Sequence, residues 1–305
     1  RNKMVGIWSS ITAIALIAGP ILGGFLVDYF GWWAIFSINL PIGLFVIGLS
    51  IYAVQSEPQN YSISLDPIGQ VLTIIMLGTL TFGLIELSQS PSLLFIIMIF
   101  SMTAFSLILF ILWERQISVP LIPLSLFKSW QFCRNNLASF VIGFATYSNI
   151  FFLSLYFQNA QGYSAVKTGI HLAPEFIAMG IFAMSYGKLA KIFDTEHLIR
   201  FAFVLIFISS MIMAFFTHDT NYRIIAITMF VMGSGMGIAI PAISLLTLKD
   251  AKSSNLGSIS AIMNAFRQTG MAISIALLGA IMSFSAEQQL KTLLSAMTNY
   301  ENVAN

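Results

Sequence analysis

Charge is what this chain has least of. Only 9% of its 305 residues are Asp, Glu, Lys or Arg, against roughly 25% in soluble domains. With 57% hydrophobic residues and a mean hydropathy of +0.87, the chain has more apolar surface than a water-soluble core can bury. Cysteine is nearly absent as well. The single Cys133 excludes an intramolecular disulfide, a cysteine-based zinc cluster and a CxxC redox motif. A net charge of +2 offers nucleic acid no basic surface. No Ser/His/Asp array, metal-ligand cluster or paired-carboxylate site suggests catalysis, so the chain does not read as an enzyme. No cleavable signal peptide is visible, because the first apolar run is too long and lacks a small-residue cleavage site. The sequence begins with Arg1 rather than Met, and the natural N-terminus is expected upstream.

What is present is a series of apolar runs, each near the roughly 20 residues a membrane helix needs. They fall at about 4–27, 31–54, 67–87, 93–113, 135–158, 169–192, 198–216, 222–248 and 256–285. Alternation places Arg1, Lys3, Arg115, Lys128, Arg134, Lys188, Lys191, Arg200, Lys249 and Lys252 on one side, and only Lys167, Arg223 and Lys291 on the other. The basic side is expected to be cytoplasmic. The cytoplasmic connection 55–66 has no Lys or Arg and is the exception. Its Asn60-Tyr61-Ser62 sequon therefore counts as a chance match. The connection 114–134 carries Pro120, Pro123 and Trp130, with Leu121, Leu124 and Phe127 at helical spacing. It reads as an amphipathic linker on the inner membrane surface and as the main domain boundary. After Ser285, Leu290, Leu293, Leu294 and Met297 among polar residues suggest an interfacial tail.

The first run is dense in small residues: Gly6, Ala15, Gly19-Pro20 and Gly23-Gly24. Such density would break a soluble helix, whereas a membrane helix packed on neighbours tolerates it. The pattern is similar to the antiporter motif in the fifth helix of major facilitator superfamily exporters, with Ala15 where Gly is usual. Gly31-Trp32-Trp33-Ala34-Ile35-Phe36-Ser37-Ile38-Asn39-Leu40-Pro41-Ile42-Gly43 resembles the segment that follows in the fourteen-helix drug:proton antiporters. Trp33 stands there in place of the usual Arg, and Ala34 in place of Trp. Leu155-Tyr156-Phe157-Gln158 with Gly162-Tyr163-Ser164-Ala165, Thr168-Gly169 and Pro174 fits the same family. So does Gly257-Ser258-Ile259-Ser260-Ala261 through Asn264, Phe266-Arg267-Gln268 and Gly270.

The resemblance covers essentially the whole chain and implies an all-α polytopic membrane protein of the major facilitator fold. By alignment the chain supplies helices five to thirteen, about nine in number. It implies two last helices of an N-terminal bundle (1–56), two extra central helices (57–113), the linker (114–134), a C-terminal bundle (135–285) and an extracytoplasmic tail (286–305). The implied function is proton-coupled efflux of lipophilic, often cationic, small molecules by alternating access. It implies no cofactor other than the coupling proton, and a place in the cell inner (plasma) membrane. Some relatives use a periplasmic adaptor, which makes one a candidate partner beside the substrate and the lipid bilayer. The alternatives are another transporter of the superfamily, a symporter or uniporter, and a non-transporting membrane fragment.

Ionisable residues inside membrane spans are functional candidates by default. Glu175, just after Pro174, is the first. His171, four residues earlier, shares its helix face, and the two would titrate together if in contact. The bland alternative is a solvated pair at the outer end of the span. Arg267 lies well inside the last span with Asn264 and Gln268 at helical spacing. It cannot carry a proton, so a tether, a gate or a tuning role remains. Asp28 caps the outer end of the first span, Glu86 reads as interfacial and Glu114-Arg115 as an interfacial pair. Asn39 can hydrogen-bond across helices. Tyr147, Phe151 and Tyr156 in an aromatic-rich span are candidate cavity residues, with lipid contact as the alternative. Gly233-Ser234-Gly235-Met236-Gly237 superficially resembles a phosphate loop, but no strand precedes it. Small-residue helix packing is the better account.

Overall fold

The computed structural model describes residues 15, 18–53, 66–87, 92–117, 120, 122, 124–249 and 256–304. Gly6, the sequon at 60–62 and nearly all of the connection 55–66 lie outside them. The described elements are helical: α1 (Ala18–Phe30), then α2 (Trp33–Ser37), α3 (Asn39–Ala53), α4 (Pro67–Glu86), α5 (Leu93–Glu114), a 3-10 turn (Leu124–Lys128), α6 (Trp130–Leu155), α7 (Ala165–Ile192), α8 (Thr195–Met213), α9 (Tyr222–Lys249) and α10 (Leu256–Ala304). Among these, seven spans are long and apolar enough to cross a membrane: 33–53, α4, α5, 130–160, α8, 222–248 and 256–291. Two more were expected from the sequence. The first lies largely outside the described residues, with α1 as its described part. The other is α7, whose 28 residues exceed the roughly 30 Å hydrocarbon core at about 1.5 Å per residue. Lys167, His171 and Glu175 dilute its apolar character. The tail read as separate from the last span continues α10 without a break.

The chain forms two compact units. One comprises residues 1–63 and 149–250, the other 64–148 and 251–305. The boundary falls inside α6, between Ser148 and Asn149.

In the first unit, α9 packs on α7 and α8 through the glycine stripe. A Cβ on Gly233 would collide with the backbone carbonyl of Glu175, and one on Gly237 with that of Met179. Gly235, on another face, would meet Ala202 O of α8 at 2.7 Å. Three alternating glycines thus let one helix approach two neighbours, as the packing reading of this segment requires. Met229, Met232 and Met236 fill the space around them and are buried. Helix α1 meets α7 in the same way. Pro20, Gly24 and Asp28 recur every four residues and form one seam. Gly24 abuts Ala165 O, Gly169 abuts Pro20 O, and Asp28 accepts the backbone N–H of Ala165 at 3.0 Å and of Val166 at 2.9 Å. Ser164 Oγ accepts from Lys167 N, so side chains supply three of the acceptors that the first turn of α7 lacks. The close approach falls on Gly24. A Cβ on Gly19 or Gly23 would meet no described atom of a neighbouring element within 4 Å.

Between α2 and α3 the helix breaks at Ile38, where Pro41 cannot donate to the carbonyl of Ser37. Asn39 serves this break. Its Nδ2 donates to Ile35 O at 3.1 Å, so its bond is local, where the sequence suggested one across helices. No residue of α2 or α3 is buried, as suits faces turned to lipid.

In the second unit, α4 and α5 pair through Thr79 and Thr103, whose hydroxyls are 2.8 Å apart. Asp66 caps α4 from outside by accepting Gly69 N at 2.9 Å, and it also accepts the indole N–H of Trp113 at 2.8 Å. Glu114 is buried and accepts Ile122 N, so its carboxylate ties the end of α5 to the linker. Helices α6 and α10 approach at paired glycines. Gly143 abuts Arg267 O and Gly270 abuts Phe140 O.

Two outcomes test this packing. Gly233→Ala should lower the thermal unfolding midpoint of the purified protein, by about 1–3 kcal/mol of overpacking. Gly187→Ala, which meets open space, should not, and equal midpoints would refute the close contact. The hydrogen bond from Val166 N, with those from Ser164 and Ala165, outweighs desolvation and holds the Asp28 carboxyl below its ordinary value of 3.8. Its stabilisation is therefore complete above pH 3.8 and lost only as pH falls through that lowered value. At neutral pH, Asp28→Leu should speed deuterium exchange of the Ala165 and Val166 amides; unchanged protection would refute the cap.

Candidate functional site

The site candidate with the strongest geometry is Glu175, in the first unit. Glu175 follows Pro174 inside α7 and lies on its buried face, whose residues include Thr168, Leu172, Ala178 and Met179. The side chain of Glu175 is 1% exposed. Its Oε2 accepts from Asn149 Nδ2 at 2.8 Å, while its Oε1 has no hydrogen-bond partner among the described residues. An ionised carboxylate held by one neutral amide in an apolar setting is expensive. The bare oxygen leaves room for one further bond, to a proton or to a donor on a ligand. Asn149 was not singled out from the sequence. An uncharged Asn in an apolar run is a weak signal, although a hydrogen-bonding side chain at membrane depth was there to be read.

His171 is on the same helix but does not bond to Glu175. Its Nδ1 lies 2.7 Å from Lys167 O, on the turn above. The ring sits among aromatics, 4.4 Å from the Tyr222 ring centroid, 4.8 Å from Tyr163 and 5.7 Å from Phe157. Tyr222 Oη donates to His171 O at 3.2 Å. The solvated alternative raised for the pair does not describe Glu175, which is buried, while His171 is half-buried in this collar.

The remaining candidates are placed as follows. In the second unit Arg267 is half-buried, and its Nη2 donates to Asn264 Oδ1 at 2.6 Å. Asn264 Nδ2 donates in turn to Ser260 O, and Gln268 is exposed. Tyr147 and Phe151 are exposed by 39% and 37%. Tyr156 opens a π-helical turn, Tyr156–Ala160, and donates to Thr217 O at 2.8 Å. Of the antiporter-motif residues, Pro20 and Gly24 form the seam with α7, whereas Ala15, Gly19 and Gly23 are not part of it as described. Among the described residues, no group of three or more His, Cys, Asp or Glu is placed to hold a metal ion.

Comparison with known proteins places this arrangement. The chain is 31% identical over 291 residues to a methylenomycin A resistance protein of Bacillus subtilis, covering 94% of this chain and 62% of that protein. It is 28% identical over 285 residues to the multidrug resistance protein Stp of Mycobacterium tuberculosis, covering 93% and 53%. It is 27% identical over 273 residues to the multidrug export protein EmrB of Escherichia coli, covering 88% and 53%. The chain thus spans between about half and 62% of the length of these relatives. A family model described as Major Facilitator Superfamily matches residues 1–275. With its apolar helices, tight glycine seams and isolated buried acid, the chain is a multi-pass membrane protein and belongs to the major facilitator superfamily, a family of transporters and not of enzymes.

Proposed function

We propose that the protein exports lipophilic, often cationic, small molecules in exchange for protons by alternating access. The observation that carries this reading is Glu175: a carboxyl 1% exposed, bonded through one oxygen to Asn149 and, among the described residues, unpartnered at the other. Such a group can take up and release a proton as its surroundings alternate between an outer and an inner opening. The energy is adequate. The membrane potential supplies about 2.3 kcal/mol per charge per 100 mV, so one or two protons per cycle sustain a useful gradient. The relatives named for resistance to methylenomycin A and for multidrug export favour outward movement of organic molecules. The basic side, which includes Arg115, Lys128, Arg134, Lys188, Lys191 and Arg200, would face the cytoplasm, and the Asp28 end of α1 and the start of α7 would face outward, in the plasma membrane. His171, one turn above Glu175, would stand on the proton's way in. Arg267, permanently charged and tied to Asn264, would tune the site or act in a gate. A periplasmic adaptor would be a candidate partner beside the substrate and the lipid bilayer.

The α1–α7 seam is the reason to prefer exchange over a symport or uniport mechanism. Backbones in contact at Gly24 and Gly169 close the outer ends of these helices against leak.

In vesicles carrying the full-length protein, Glu175→Gln should abolish proton-driven efflux of a cationic dye while leaving the protein inserted. Unchanged coupled efflux would remove Glu175 as the carrier. Gly24→Leu should cut export at least ten-fold, because the side chain collides with Ala165 O. Gly19→Leu serves as the comparison at the neighbouring motif glycine and should do less. Equal effects at the two positions would sink the seam as the reason for the motif.

A further inference from the structure

The collar above Glu175 contains a cation already in place. Lys167 Nζ lies 3.5 Å from the centroid of the Tyr163 ring, well inside the roughly 6 Å range of a cation–π contact. The ring that receives it is held from several directions. Gly162 adopts φ +65°, a left-handed conformation that suits glycine, and turns the chain out of the π-helical turn. Tyr163 N then donates to Phe157 O at 2.9 Å. The Tyr163 ring stacks parallel to that of buried Phe157, with centroids 5.8 Å apart and planes 3° from each other. His171 and Tyr222 complete the wall, 4.4 Å apart by ring centroid. The aromatic surface is therefore fixed, while its cation sits at the end of a flexible, exposed side chain.

We propose that the face of Tyr163 now covered by the Lys167 ammonium is a binding subsite for the cationic head group of an organic ligand, and that Lys167 is an internal competitor which that head group displaces. An ammonium that rests on the ring shows which charge the surface accepts. A quaternary ammonium is more weakly hydrated than the primary ammonium of lysine and loses less on leaving water, so it competes well for an aromatic face. Competition by a tethered lysine also keeps the subsite weak, and a subsite at the outer end of the path would then release its ligand readily. Only this last role, as an exit station, rests on the export reading; the binding itself does not.

The test is equilibrium binding of tetraethylammonium to the full-length protein in lipid nanodiscs, with no gradient. This probe is hydrophilic enough for protein binding to stand out from partition into lipid. Lys167→Gln should tighten binding by about three- to ten-fold, the range expected of a partly exposed cation–π contact. Tyr163→Leu in the Lys167→Gln background should erase that gain, and Tyr163→Phe should keep it, which separates loss of the ring from loss of the fold. Unchanged affinity in Lys167→Gln would overturn the proposal. So would a gain that survives Tyr163→Leu. The Lys167→Gln effect should persist in Glu175→Gln. If the full-length protein shows no coupled efflux but Lys167→Gln still tightens binding, the export reading fails and the subsite stands. If efflux is coupled and Lys167→Gln changes nothing, the reverse holds.

Discussion

Backbone-to-backbone contact at glycine is the constraint on which the described packing depends. Lipid tails are as apolar as leucine, so helices in a bilayer gain little from hiding apolar side chains from one another. They gain from close approach. At Gly24, Gly143, Gly169, Gly233, Gly237 and Gly270 a single added carbon would strike a neighbouring helix's backbone. The serines and threonines inside the helices serve the same end: Ser209, Thr228, Ser234 and Thr247 return their hydroxyls to a carbonyl four residues back. With that polarity spent locally, the apolar and sulfur-bearing surfaces of α7, α8 and α9 can meet.

On this frame the first unit places its polar groups sparingly. Among the described residues Glu175 bonds to Asn149 through one oxygen and to none through the other, and His171 bonds within its own helix and sits among rings. Asp28 spends its carboxylate on the start of α7. Each ionisable group has a separate environment, so an acid that can change its bonding lies beside elements that do not.

The membrane class, the helical architecture and the superfamily were legible in the sequence because they depend on quantities summed over many residues: low charge, apolar run length and the spacing of glycines. Glu175 was legible for a related reason, since a lone charge in an apolar run stands out. Its partner was not. Asn149 carries no charge, and nothing in one helix says which face will meet α7. The seam was half legible. The motif marked α1 as closely packed, but only the three-dimensional arrangement shows that Pro20, Gly24 and Asp28 are the residues in contact, with amides more than 130 positions further along the chain. The bond of Glu114 to Ile122 N was not legible either, because it reaches across a turn of the linker and spacing along a helix cannot reveal it.

The contact of Gly233 on the carbonyl of Glu175 has a mechanical consequence. The residue that bears the acid is also the point where α9 presses on α7, with no side chain between to act as a cushion. Any sliding or tilting of α9 against α7 must therefore displace the main chain that carries the carboxyl and its bond to Asn149. By the reciprocity of linked equilibria, whatever changes the bonding of that carboxyl bears back on the fit of the two helices. The acid is thus a bearing surface in the helix contact as well as a chemical group.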